Sequence, residues 1–186
     1  PTTGKITAPP AGLVFQNADA QILGETPEED ILFGLRNMQL PKDEIKARLE
    51  KTLTDCGLQE KRSFQARLLS GGEKRRLAVA GILAMERELI IFDEPFTNLD
   101  YPGVMQVCKI LQELKNSGKT VILLTHELEK ILALADSLTI LDDGIIKYSG
   151  NTESALKLDI EQWGIRNPLQ NYDCVEKLFW GRNAQE

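Results

Sequence analysis

The sequence predicts an α/β protein built around a mostly parallel sheet, and three observations carry that reading. Leu89-Ile90-Ile91-Phe92 and Val121-Ile122-Leu123-Leu124 are apolar at every position, the mark of short strands covered on both faces rather than one. Amphipathic helical stretches alternate with these runs, as βαβ connections require. Polar residues then collect directly after the apolar runs, at Gln16, Asp93-Glu94 and Thr125-His126, the strand ends where open α/β sheets gather function.

The elements follow in order. Leu13-Val14-Phe15, after Gly12, reads as a buried strand ending at Gln16. From Pro41, Ile45, Leu49, Leu53 and Cys56 recur at three or four residues with charged residues between them, and Gly57 stops this helix. Ser70 with Glu73 three residues on fits a capping box opening a helix from Lys74 to Met85. Leu89 to Phe92 is a strand running into Asp93-Glu94-Pro95. A helix follows from Val104 to Lys115, ended by Gly118, and Val121 to Leu124 is the next buried strand. Leu128, Ile131, Leu132 and Ala135 mark a further helix, and Asp142-Asp143-Gly144 between Leu138–Leu141 and Ile145–Tyr148 signals a hairpin. The last stretch, 151–186, contains Trp163, Pro168, Phe179 and Trp180 with weak periodicity and is expected to be a short helical extension packed on the core or on a partner.

Composition excludes several function classes. The net charge of -6 argues against a nucleic-acid surface, which needs clustered cations, leaving at most a local patch at Lys74, Arg75 and Arg76. Cys56, Cys108 and Cys174 lack metal-ligand spacing and suggest a reducing compartment. No apolar run reaches the roughly 20 residues that span a bilayer, so any membrane role is peripheral.

Singly, the polar strand-end residues have dull explanations: a loop glutamine, a helix start, a structural histidine. Their order is the informative feature. Reading forward the chain gives LVFQNADAQ, LLSGGEKRR, LIIFDEPFTNLD and VILLTHE. In this succession the chain resembles the nucleotide-binding subunit of ATP-binding cassette transporters. Residues 69–73 resemble the signature motif, 89–94 the Walker B strand, 98–100 the D-loop, His126 the switch histidine and Gln16 the Q-loop glutamine. Within the family, FQNADAQ followed by EEDILFG is similar to the energy-coupling-factor and cobalt or nickel uptake group, matching at Asn17, Asp19 and Gln21 and departing at Ala18 and Ala20.

The resemblance implies a P-loop NTPase (RecA-like) core with an inserted helical signature subdomain. It places a partial ATPase domain at 1–150, with the helical subdomain at about 21–85 and the core from 86 to 150. It also implies ATP and Mg²⁺ as cofactors. Asp93 and Gln16 would serve the metal, Glu94 would be the general base, and His126 and Gln16 would complete the catalytic set. Ser70, Gly71, Gly72 and Glu73, with Asp100, would engage the nucleotide across a dimer with a second ATPase subunit. Transmembrane transporter subunits would be the other partners, at the cytoplasmic face of the cell membrane, and a vitamin or transition-metal ion the cargo.

The opening PTTGKI carries Gly4-Lys5, but Ile6 follows where a phosphate loop needs a hydroxyl residue. It resembles instead the segment that follows that loop and its helix in the family. The N-terminal strands and the loop itself are therefore expected to be missing from this chain, which by itself is expected to be an inactive fragment. Two other readings stay open: a non-hydrolysing partner-binding module derived from the family, and a soluble relative acting on DNA or ribosomes.

Overall fold

The computed structural model describes residues 3–170 and 174–175. The chain divides into two compact units, Pro1–Thr125 and His126–Glu186.

The first unit opens with strand β1 (Ala11–Val14), one residue shorter at its end than the apolar run suggested. A single helical turn, α1 (Ala18–Gln21), is capped by Asn17, and α2 (Pro27–Arg36) is capped by Thr26. Apolar periodicity marks no separate helix there, although the span falls in the helical subdomain that the resemblance implies. Yet Thr26 precedes Pro27 at the helix start and three acidic residues, Glu28, Glu29 and Asp30, fill the first turn, which is a complete start signal. Helix α3 (Lys42–Asp55) matches its expected span, and Gly57 just beyond takes the left-handed conformation that reverses the chain. Helix α4 (Gly71–Leu83) starts with the expected capping box. Strand β2 (Leu89–Asp93) leads to helix α5 (Tyr101–Asn116), which begins three residues before the expected Val104. Asp100 caps it and Pro102 sits in its first turn, where a missing N–H costs nothing. Strand β3 (Thr120–Leu124) closes the unit.

These strands form a parallel sheet in the order β1-β2-β3, with Val14 opposite Phe92 and Phe92 opposite Leu123. Helix α4 lies against one face so closely that a Cβ on Gly12 would sit 2.4 Å from Ile82 Cγ2. Val14, Ile90 and Phe92 on that face are buried. The other face departs from the expectation of burial on both sides: Leu13 is 39%, Ile122 44% and Leu124 47% exposed. Continuous apolarity predicts a strand with two apolar faces, but the packing of neighbours decides whether the second face is covered. A separate apolar cluster joins Ile31 and Leu35 of α2, Leu49 and Leu53 of α3, Leu77 and Ala80 of α4, and Ala84 at the end of α4. Helix α4 therefore packs on both the sheet and the other helices, consistent with buried residues in consecutive positions from Leu77 to Ala80.

In the second unit the expected 128–135 helix is instead two short 3₁₀ turns, Leu128–Lys130 and Leu132–Leu134. Ile131 between them leaves helical geometry at φ -142°. Apolar residues three apart suit a 3₁₀ turn as well as an α-helix, so periodicity over so few residues does not choose between them. The hairpin forms as read: β4 (Leu138–Asp142) pairs antiparallel with β5 (Ile145–Gly150), and Asp143 and Gly144 both take positive φ. A short helix, α6 (Thr152–Ala155), and a 3₁₀ turn at Ile160–Trp163 follow, and Ile160 packs with Leu128 and Ile140. Within the expected extension, 171–173 and 176–186, including Phe179 and Trp180, lie outside the described residues.

Candidate functional site

The parallel register of β1, β2 and β3 brings Phe15-Gln16, Asp93-Glu94 and Thr125 to one edge of the sheet. Gln16 is exposed there. Its side chain makes no hydrogen bond to the described residues, and neither does the half-buried carboxylate of Asp93.

Glu94 is held more tightly. Its N–H donates to the Leu124 carbonyl at 2.9 Å, and its backbone is left-handed at φ 45°. A non-glycine residue in that region carries strain of about 1–3 kcal/mol that the surroundings must offset, a condition met most often at functional positions. The Thr125 hydroxyl donates to its carboxylate at 3.3 Å. Among the described residues, no group of three or more His, Cys, Asp or Glu gathers to hold a metal. A cation at Asp93 would thus draw its other oxygen ligands from the neutral Gln16 amide, water or a bound molecule, as Mg²⁺ sites commonly do.

The start of α4 is built for an open end. Ser70 Oγ accepts the Glu73 N–H at 3.3 Å, and a Glu73 carboxylate oxygen accepts the Ser70 N–H at 2.8 Å. That second bond, with help from Ser70's hydroxyl and Lys61, holds the Glu73 carboxyl below its ordinary range. Cβ atoms on Gly71 and Gly72 would meet nothing within 4 Å, and neither residue takes positive φ. Nothing among the described residues therefore calls for glycine at either position. Bare backbone suits the close approach of something from outside, with N–H groups and the helix dipole favouring an anion.

Asp100 is exposed, and its side chain accepts the Gly103 N–H at 3.0 Å as the cap of α5. His126, the first residue of the second unit, is also exposed.

The local basic patch that composition left open does not form. Lys74 pairs with Asp19 at 2.6 Å, Arg76 donates to Gln106 at 3.2 Å, and Arg75 is buried. The guanidinium of Arg75 donates to the Phe15 carbonyl at 2.6 Å and to the Glu94 carbonyl at 3.4 Å. Sequence reasoning missed this role, because a run of three cations reads as a solvated face. Gln21 is another tie: it accepts the Phe15 N–H at 2.8 Å and donates to the Ala78 carbonyl of α4 at 2.9 Å. Asp30, buried, accepts the N–H groups of Leu23 and Gly24. Cys56 is a core residue whose thiol burial pushes up to about 12, which removes it from chemistry near neutral pH.

The family model described as ABC transporter matches residues 3–97. A putative ABC transporter ATP-binding protein of Pyrococcus abyssi is 38% identical over 94% of this chain and 68% of its own length. An energy-coupling factor transporter ATP-binding protein of Caldanaerobacter subterraneus is 43% identical over 79% of this chain and 53% of its own length. Among solved structures, cbiO1 of Clostridium perfringens, described as part of the ABC transporter complex cbiONQ, superposes with a TM-score of 0.72 at 33% identity. That match covers 85% of this chain and 64% of the other. The chain thus spans between 53% and 68% of the length of these relatives.

Proposed function

Because this chain belongs to the ABC transporter family of ATP-binding proteins, we propose that it is part of an ATP-hydrolysing subunit driving an importer for a vitamin or a transition-metal ion. The observation that carries the reading is the start of α4, where Gly71 and Gly72 face open space that no contact or dihedral among the described residues explains. In this reading the N–H groups behind Ser70 receive the phosphates of an ATP held mainly by a second ATPase subunit, so that two subunits close around nucleotide. Asp100 lies at the same boundary and couples the two sites.

The Asp93 carboxylate, free of partners among the described residues, would hold Mg²⁺, with Gln16 as a further polar ligand from the next strand end. When bound, the metal neutralises charge developing on the transferred phosphoryl group. Glu94 takes a proton from the attacking water, its carboxylate steadied by the Thr125 hydroxyl. His126 hydrogen-bonds the terminal phosphate. The subunit works peripherally at the cytoplasmic face of the membrane, beside separate membrane-spanning partners, and no helix among the described residues is long and apolar enough to cross a bilayer. The relation to cbiO1, part of a named transporter complex, supports such partners.

The reading is tested in the longest natural protein that contains this chain. In a Glu94→Gln background, ATP should drive self-association detectable by light scattering. Adding Ser70→Arg, which fills the open helix end with a long cation, should abolish that association and leave nucleotide binding by the isolated protomer intact. Undiminished association in the double variant would remove the α4 start from the nucleotide interface.

A further inference from the structure

Arg75 lies one turn into α4 and is only 4% exposed, and among the described residues it pairs with no carboxylate. A buried guanidinium stays charged and must place its donors well, because each unmet donor and the uncompensated charge are expensive in a low-dielectric interior. Here its fork divides between two strand ends. One arm reaches the carbonyl of Phe15, immediately before Gln16, and the other reaches the carbonyl of Glu94 itself. The two acceptors belong to segments 79 positions apart in sequence, and both are thereby tied to the helix that begins at Ser70.

We propose that Arg75 is a positioning residue for hydrolysis: a single guanidinium fastens the Gln16 turn and the Glu94 turn to the signature helix, fixing the distance between the metal-side glutamine and the general base. The inference rests on the function proposed above for Gln16 and Glu94. Its physical basis is the left-handed backbone of Glu94. That residue's N–H is held by the Leu124 carbonyl and its C=O by Arg75 at 3.4 Å together with the Thr97 N–H at 3.3 Å, so both ends of a strained residue are pinned and its side chain is aimed. Without the guanidinium the carbonyl keeps only the local Thr97 N–H, which moves with the same turn, and the tie to α4 that opposes relaxation toward an unstrained conformation is lost. A lysine does not replace the fork, since one ammonium on a flexible stem lacks the planar pair of donors that spans two carbonyls.

The test compares Arg75→Met, which keeps the stem and removes the donors, with Arg75→Lys, in the longest natural protein containing this chain. Amide hydrogen exchange is read at Phe15 and Asp19 on one side and at Glu94 and Thr97 on the other, all hydrogen-bonded N–H groups. Arg75→Met should speed exchange about tenfold or more at both pairs and leave the amides of α2 and α3 unchanged, and Arg75→Lys should restore protection at one pair only. ATPase kcat should fall on the order of 10²-fold in Arg75→Met with KM unchanged, the cost of misplacing a reacting group by about 1 Å. Unchanged exchange at both pairs would overturn the proposal. So would exchange raised throughout the unit, which marks a mere packing plug. Loosened pairs with an undiminished kcat would overturn the positioning role. A wild-type protein that hydrolyses no ATP would instead defeat the proposed function, while the exchange pattern and the lysine variant would still decide whether the fork exists.

Discussion

The turn from Asn17 to Asp30 and the open positions at Gln16, Asp93 and the start of α4 lie in one compact unit, yet their polar groups are used in opposite ways. In the turn, each of the quoted polar side chains is satisfied from within. Asn17 accepts the Asp19 N–H, Asp19 pairs with Lys74, Gln21 joins the end of β1 to α4, and Asp30 accepts two N–H groups. At the open positions, Gln16 and Asp93 keep side chains without partners among the described residues, and the two glycines expose backbone to empty space. Groups answered inside the chain hold its shape. Groups left unanswered serve whatever binds, so the two sets should separate cleanly when stability and activity are measured side by side.

The largest separation is expected at Glu94. Glu94→Gln, measured in the longest natural protein containing this chain, should lower ATP hydrolysis by a factor on the order of 10²–10⁴, because an amide cannot accept the proton of water. Its melting temperature should hold, since the amide oxygen still accepts the Thr125 hydroxyl. Residual hydrolysis above about a tenth of wild type would break the assignment.

On the other side, Gln21→Ala strips the partner from the Phe15 N–H and takes the side-chain donor from the Ala78 carbonyl, and urea unfolding should show a loss of about 1–3 kcal/mol. Gln16→Ala should change stability by less than about 0.5 kcal/mol, as for a surface position. Equal losses in the two variants would erase the contrast.

The smallest effect, and the sharpest in form, is at Asp30. Burial pushes its carboxyl above the ordinary 3.8, opposed by the N–H bonds from Gly24 and Leu23. Between the ordinary and the raised value, the native state keeps a proton that the unfolded chain has released, so native stability declines as pH rises through that window. Asp30→Asn retains an oxygen acceptor and does not titrate. The stability of the variant relative to wild type should therefore grow as pH is raised from about 3.8, the ordinary carboxyl value. A difference that stays flat with pH would show that burial is not the governing influence on this carboxyl.

Much of this arrangement was legible in the amino-acid sequence where the signal is local. The Ser70 and Glu73 capping box, the Asp143-Gly144 turn and the β2 run ending in Asp93-Glu94 each follow from a handful of adjacent residues. The strand ends bearing Gln16 and Asp93 were equally readable, because alternating apolar runs and helices already dictate a parallel sheet. What escaped depends on partners distant in the chain. Lys74-Arg75-Arg76 reads as a charged surface until the fold turns the middle residue inward toward two carbonyls. The exposure of Ile122 depends on what packs against its face, which no strand pattern encodes. The helix from Pro27 to Arg36 is a different lesson, since Thr26-Pro27-Glu28 is a local start signal that apolar periodicity does not register.

The half-exposed sheet face also has a calorimetric consequence. Leu13, Ile122 and Leu124 are already substantially hydrated in the folded state, so unfolding adds less new apolar surface than a sheet covered on both sides would release. Since apolar hydration raises heat capacity by about 0.45 cal/K/mol per Å² newly exposed, the first unit should unfold with a smaller heat-capacity increment than its size suggests and a correspondingly flatter dependence of stability on temperature. Any polypeptide that comes to cover those side chains would restore the missing increment, and the curvature of a melting profile would register its arrival.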